Sequence, residues 1–410
     1  MAYFLPSTLL FLLGLGIIVW VHSQYHMDIV VAPADAPASA PLISICIPAR
    51  DEEKNIRRCV ESLLAQTYPN FEIIVLDDRS TDSTLKILEE LRSDDFSRLR
   101  PGTTDPTGAL RRVVTTWESR LQILHGSDLP DGWAGKPHAL TQAVASARGE
   151  WLCFVDADTF AAPEAIASCY VKALETKADM FTIMTFQELG SFWEKVLMPL
   201  VLTALSVGFS PRKVNDPKER VAVANGQFIL IKRAVYDAVG GHERIKDQIV
   251  EDKALAEQVK WNGHRLVIAD GYQMARTRMY TSLPEMWEGW TKNIYLGLRD
   301  TPSMLLLGSF GAVLSLIAAL FLPVWPLLGF FWYLNGGGLL ALGVIAKSLI
   351  VWTALLWARG NVSHGLGISR WYSLTVPLGA GLFAAIMLTS AWKILSGQGV
   401  AWRGRVYHPK

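Results

Sequence analysis

Trp151-Leu152-Cys153-Phe154-Val155-Asp156-Ala157-Asp158 decides how this chain folds. Five apolar residues in a row read as a strand buried on both faces, and the chain then turns at once into two carboxylates one residue apart. Two aspartates on such a turn can grip a hard divalent ion whose other ligands are phosphate oxygens. The ion would neutralise charge as a diphosphate departs. Alone the pattern says little, because solvated loop aspartates are common. Its surroundings give it weight.

Upstream, Ile43 to Pro48 is another buried strand, and Glu52 to Gln66 has helical periodicity through Ile56, Val60, Leu63 and Leu64. Glu72 to Leu76 is a strand running into Asp77-Asp78-Arg79-Ser80-Thr81-Asp82, with a helix over Ser83–Leu91. Ser93 to Thr116 turns to Arg, Gly, Thr and Pro and reads as a surface loop. Leu121–Leu124 resumes as a strand, followed by a helix over Pro137–Arg148. This alternation predicts an α/β fold with a mainly parallel sheet and helices on both faces. Ligands of such sheets lie beyond the carboxyl ends of the strands, where Asp77, Asp78, Asp156 and Asp158 fall. The Asp77-Asp78 loop can accept hydrogen bonds from a ribose or a base edge, or it can simply cap a helix, as Asp82 is expected to do. About a hundred residues on, Glu251-Asp252 opens a helical stretch over Lys253–Lys260. The pair reads equally as a complement to the helix dipole and as a base near a reacting hydroxyl.

The 410 residues are 50% hydrophobic yet 19% charged, a mixture suited to a soluble domain joined to membrane segments. A formal net charge of +1 gives no argument for nucleic acid or an acidic partner. Cys46, Cys59, Cys153 and Cys169 form no CxxC pair and read as buried thiols. Phe4 to Val21 is long enough to anchor the chain. A cleaved signal is disfavoured, since no cation precedes it and Ala38-Ser39-Ala40 lies far beyond its end. Met304–Trp357 is broken by Pro323, Pro326 and Asn335-Gly336-Gly337-Gly338, and Trp371–Ile394 follows. The basic link Arg359–Arg370 and the basic tail Arg403, Arg405 and Lys410 cannot both lie inside if one crossing separates them. Phe192 to Phe209 reads either as a core helix or as one lying in the membrane interface. The expected organisation is an anchor at 1–24, a linker at 25–41, and an α/β domain at 42–300 holding the helix at 192–210. A transmembrane region at 301–396 and a tail at 397–410 complete it.

Taken together, Pro48-Ala-Arg-Asp51-Glu52, Asp77-Asp78-x-Ser-x-Asp82, Asp156-x-Asp158, Asn225-Gly226-Gln227-Phe228, Gly240-Gly241-His242 and Glu251-Asp252 resemble glycosyltransferase family 2 over roughly Ile43 to Asn293. The resemblance implies a GT-A fold and inverting transfer from a nucleotide sugar, usually UDP-linked. It implies that Glu52, Asp77 and Asp78 contact the nucleoside and that Lys136 lies near the donor. Asp156 and Asp158 would bind the nucleotide phosphates with Mg2+ or Mn2+, and Asp252, beside Glu251, would be the general base. Leu129-Pro-x-Gly-Trp133-x-Gly-Lys136, Arg278-Met279-Tyr280, Gly289-Trp290-x-Lys292-Asn293 and Trp402-Arg-Gly-Arg405-Val-Tyr407 are similar to the membrane-bound branch acting on carotenoid or hopanoid lipids. That branch implies a lipid acceptor, with the catalytic domain on the cytoplasmic side of the cell membrane. The chain departs at Gln273-Met-Ala-Arg276-Thr277, where processive members carry QxxRW. Without that Trp, a polymer synthase is the weaker alternative, and a degenerate, inactive binding module is a second. Arg276 or Arg278 remains available to bind the leaving diphosphate in bidentate fashion.

Overall fold

The computed structural model describes residues 4–23, 27–92, 120–299, 308–314, 316–317, 321, 323–402 and 405–407. The loop expected at 93–116 lies outside the described residues, as do Arg403 and Lys410 of the tail. Two compact units form: Met27–Gln187 with Pro211–Met279, and Met1–His26 with Glu188–Ser210 and Tyr280–Lys410.

The first unit is an α/β layer structure. Its strands are β1 (Ile43–Ala49), β2 (Phe71–Asp77), β3 (Leu121–His125), β4 (Trp151–Val155), β5 (Thr159–Ala161), β6 (Met180–Met184), β7 (Phe186–Gln187), β8 (Phe228–Lys232), β9 (Leu266–Asp270) and β10 (Ala275–Thr277). Seven of them form one sheet in the order β3-β2-β1-β4-β8-β6-β9. β1 pairs in parallel with β2 and β4, β2 with β3, and β6 with β9; β8 alone runs antiparallel to its neighbours β4 and β6. The mainly parallel sheet read from the sequence is therefore present. The β2 and β4 runs are buried at every residue, as expected of strands covered on both faces. The amphipathic helix Ile56–Leu64 covers one face with Ile56, Cys59, Val60, Leu63 and Leu64, which join the same core as Ile45, Ile73 and Cys153.

The predicted helix at Glu52 begins only at Ile56; ahead of it the N–H groups of Glu52 and Glu53 donate to Thr84 Oγ1 (2.7 Å) and Asp82 Oδ2 (3.0 Å), tying the two loops together. Residues 27–41 also lie on this unit. Val31 N–H donates to the Asp270 carbonyl, and Val31 is buried with the core. β5, β10 and β7 form a second, three-stranded sheet, with Arg276 opposite Phe160 on one side and Phe186 on the other.

The second unit is helical. Phe192–Asn215, Trp325–Gly365 and Arg370–Leu395 are each long and apolar enough to cross a membrane, and Ser7–Val21 is a shorter apolar helix. Asn335 and Gly336 leave helical geometry and break the long stretch into Trp325–Trp332 and Gly338–Gly365, where the Asn-Gly-Gly-Gly run was read as a break. Exposed Phe331, Leu339, Trp357, Leu388 and Trp392 make a surface too apolar for water. Phe192–Gly208 starts from a capping box between Ser191 and Glu194. Val196, Leu197 and Val201 of this helix are buried, and Gly379 lets the helix Val376–Leu395 approach the Val196 carbonyl so closely that a Cβ there would stand 2.9 Å from it. Buried Arg359 donates to the Lys195 carbonyl at 2.8 Å.

Candidate active site

β1 has neighbours on both sides that continue the chain in opposite directions, so strand order reverses between β1 and β4, the position where open sheets of this kind bind ligands. The loops leaving β1, β2 and β4 carry Asp51-Glu52, Asp77-Asp78 and Asp156-Ala157-Asp158. Above them the helix Gly135–Ser146 presents Lys136 in its first turn. The Lys136 ammonium sits 2.6 Å from Asp156 Oδ1 and 2.6 Å from Glu251 Oε1. Burial works to lower the Lys136 pKa, but the carboxylates of Asp156, Glu251 and Asp252 hold it well above its ordinary value. The site therefore contains a fixed cation between the motif after β4 and the acidic start of helix Glu251–Trp261.

Asp252 is gripped by backbone. Its Oδ2 accepts from Gly226 N–H at 3.0 Å and its Oδ1 from Lys253 N–H at 2.7 Å. A Cβ on Gly226 would stand 3.0 Å from Lys136 Nζ and 3.1 Å from Asp252 Oδ2, so glycine is what lets the turn close over both. Burial, and then the neighbouring Glu251 charge, push the Asp252 carboxyl up to about 6, against the opposing pull of Lys136 and the two N–H groups. Such a value suits a base working near neutral pH. Behind the cluster, Gly240 and Gly241 take positive φ angles of 83° and 53°, and a Cβ on Gly241 would stand 2.6 Å from the Tyr236 ring. His242 Nδ1 is 2.9 Å from the Tyr236 hydroxyl, and its ring packs edge-on against Phe154. Burial lowers its pKa to about 4, with Glu251 opposing and Lys136 assisting, so the imidazole is neutral and acts as packing.

The nucleoside candidates sit on two interlocked loops. Asp51 and Arg79 both adopt left-handed φ values, 52° and 57°. The loops are tied by Asp51 N–H to Ser80 Oγ (3.0 Å) and Thr81 N–H to Asp51 Oδ1 (2.7 Å). Asp77 is 3% exposed, and its Oδ1 has no hydrogen-bond partner among the described residues. A buried, unsatisfied carboxylate oxygen is costly and is a ready acceptor for an N–H or O–H edge. Asp78 is buried too, its N–H donating to the Ala49 carbonyl at 2.7 Å. Asp82 caps the next helix by accepting from Thr84 N–H at 2.9 Å, as its position suggested. Glu52 shares a locale with the β4 motif: after burial, Asp158, Glu52 and Asp156 together push the Cys59 thiol well above its ordinary pKa. All four cysteines are buried thiols.

Arg276 is exposed on β10, 5.3 Å over the Phe186 ring, and makes no ion pair among the described residues. Arg278, two residues on, is half-buried. The sequence reading missed Thr185 and Gln187, whose buried side chains bond to Gln227 beneath Gly226. Gln187 lies on a strand of two residues and Thr185 just before it, so neither offers a periodic signal.

Among the described residues, no group of three or more His, Cys, Asp or Glu side chains is arranged to hold a metal by itself. Asp156 and Asp158 nevertheless suit an open site, in which two carboxylates supply oxygen ligands and a diphosphate the rest. That donor set fits Mg2+ or Mn2+.

Sheet order, acidic loops at the carboxyl ends and the Asp-x-Asp turn define a GT-A glycosyltransferase. Residues 44–240 match the model of the family described as Glycosyl transferase family 2. The chain is similar to the 4,4'-diaponeurosporenoate glycosyltransferase of Staphylococcus aureus (strain USA300), 25% identical over 370 residues that cover 89% of this chain and 88% of the relative. The protein of that name from strain MRSA252 is 26% identical over 283 residues, 67% of this chain and 68% of the relative. Among solved structures it shares its fold with a mannosyltransferase from Pyrobaculum calidifontis in complex with GDP-Man and Mn2+. The TM-score is 0.51 at 15% identity, over 96% of this chain and 98% of that one.

Proposed function

We propose that this glycosyltransferase moves a single sugar, with inversion, from a UDP-linked donor to a lipid acceptor at the membrane. The observation that carries the reading is the convergence of Asp156, Glu251 and Asp252 on the one ammonium of Lys136. Asp252 takes the proton of the acceptor hydroxyl or carboxyl, whose oxygen forms a bond to the anomeric carbon. The bond from that carbon to the diphosphate breaks, and its electron pair leaves with the diphosphate. Asp156 and Asp158 would hold Mg2+ or Mn2+, which supplies charge neutralisation to the departing group. Arg276 and Arg278 offer further cations for it. Asp77 Oδ1, Asp78 and Glu52 face the nucleoside. Three apolar helices long enough to span support a multi-pass protein; on this reading its catalytic unit lies on the cytoplasmic side. A relative named for diaponeurosporenoate supports the lipid acceptor. Thr277, where processive members carry Trp, is buried and bonded to Thr159 Oγ1 at 3.1 Å, which supports transfer of one sugar only.

The test is incubation of enriched membranes with a panel of labelled nucleotide sugars, with Mg2+ or Mn2+ and with a chelator, followed by lipid extraction and mass spectrometry. One sugar per lipid, lost on chelation, is expected. A ladder of products would establish polymer synthesis, and silence with every donor an inactive binding module.

A further inference from the structure

Beneath the Asn225-Gly226-Gln227 turn lies a cluster of buried polar side chains that touches neither Lys136 nor the nucleoside loops in any bond described above. Gln227 Oε1 accepts from the Thr185 hydroxyl and, at 3.0 Å, from Gln187 Nε2. Gln187 Nε2 also lies 3.0 Å from Thr185 Oγ1. Asn225 Nδ2 donates to the Ile183 carbonyl at 2.9 Å, and Asn225 N–H to Thr182 Oγ1 at 3.0 Å. Thr182 Oγ1 donates in turn to the Phe228 carbonyl at 2.9 Å. Thr182, Thr185, Gln187 and Gln227 are each at most 6% exposed.

Burying four polar side chains costs stability unless each is satisfied, and apolar residues of similar size would fill the same space at no such risk. What the network secures is the turn. With Asn225 and Gln227 pinned from the β6–β7 edge, the N–H between them, that of Gly226, has one direction, and it points at Asp252 Oδ2. The same edge reaches the arginine strand: Phe186 and Gln187 of β7 pair with Arg276 and Thr277 of β10. β10 pairs on its other side with β5, which leaves the Asp156–Asp158 turn directly.

We infer that Gln187 and Gln227, with Thr185 and Asn225, are positioning residues for the transfer: they hold the Gly226 N–H on the Asp252 carboxylate and tie that carboxylate to the strand of Arg276. The inference rests on Asp252 being the base. Gly226 N–H stabilises the ionised carboxylate, so loosening the turn makes Asp252 a group that ionises only at higher pH, with fewer molecules competent at neutrality. The charged groups facing Asp252 are Glu251 on its own helix and Lys136 from helix Gly135–Ser146. Both remain in place when the amides are changed, so a shift reports the N–H.

The experiment compares kcat against pH at saturating donor for Gln187→Met, Gln227→Met and the double variant, with Asp252→Asn alongside. We expect kcat at pH 7 to fall by up to about twofold, and at pH 6 by up to about fivefold, with donor KM unchanged. The acid limb should move up by about 0.5–1 pH unit. The double variant should lose no more than the worse single one, as members of one unit do. Should Gln187→Met fail to accumulate, Thr185→Val is read by the same criteria with a smaller displacement. A limb at the wild-type position, whether or not the melting temperature drops, overturns the positioning role. Retained turnover in Asp252→Asn overturns the base assignment instead, so the two failures are told apart.

Discussion

Replacing Lys136 by Met removes the one cation that three carboxylates share, and its effect can be sized from the geometry. An ideal Cβ on Gly226 stands 3.0 Å from the ammonium and 3.1 Å from Asp252 Oδ2. Ammonium and oxygen are therefore no more than about 6 Å apart, and unit charges at that separation in surroundings of effective dielectric about 20 attract by about 3 kcal/mol. Losing that attraction moves the ionisation of Asp252 up by about two pH units. From a starting point of about 6, the ionised fraction at pH 7 would fall from roughly nine-tenths to about one-tenth. Sign and window follow together. A base must be ionised, so the wild type loses activity as pH falls through about 6, whereas the variant loses it through about 8 and recovers above that. The assay is kcat at saturating donor, metal and acceptor from pH 5.5 to 9.5, a reading that sets donor affinity aside. An acid limb left at the wild-type pH, with activity equally depressed throughout, would show that Lys136 serves the donor alone and that its charge does not tune the base.

Gly226→Ala should lower kcat about tenfold while the protein still folds, because its Cβ meets two groups at 3.0–3.1 Å that their own partners hold in place; kinetics alongside a melting curve separate the two effects. Asp252→Asn should stabilise the protein above pH 6 by about 1–3 kcal/mol and confer nothing near pH 4. The sign follows from a folded pKa raised above the unfolded one: the native state binds the extra proton, so the ionised carboxylate is a burden that appears as pH rises through that interval. Paired melts at pH 7.5 and 4.5 check it.

Much of the site could be read in the chain because buried parallel strands are continuous apolar runs whose ends are marked by the first charged residue. Val155 to Asp156 and Leu76 to Asp77 are such ends, and both sit where they were placed. The Asn335–Gly338 break was legible for a similarly local reason, since only glycine-rich backbone leaves a helix so abruptly. What escaped depended on partners distant in sequence. Nothing near Lys136 signals that Glu251, more than a hundred residues later, will share its ammonium. β5, β7 and β10 have two or three residues each, too few for an alternating pattern to register. β8 reads as an ordinary apolar strand, and its antiparallel direction is set by the long excursion after β6 rather than by its own residues. Gln187 and Thr185 look like any surface polar residues until Gln227 closes over them.

The most direct measurement is transfer by Asp252→Asn in lipid-extracted product assays, read beside the affinity of the same variant for the nucleotide-sugar donor. The account predicts that donor binding stays within about threefold of wild type while kcat falls by about 10²-fold or more. Transfer at the wild-type rate, or loss of donor binding in step with turnover, would contradict it.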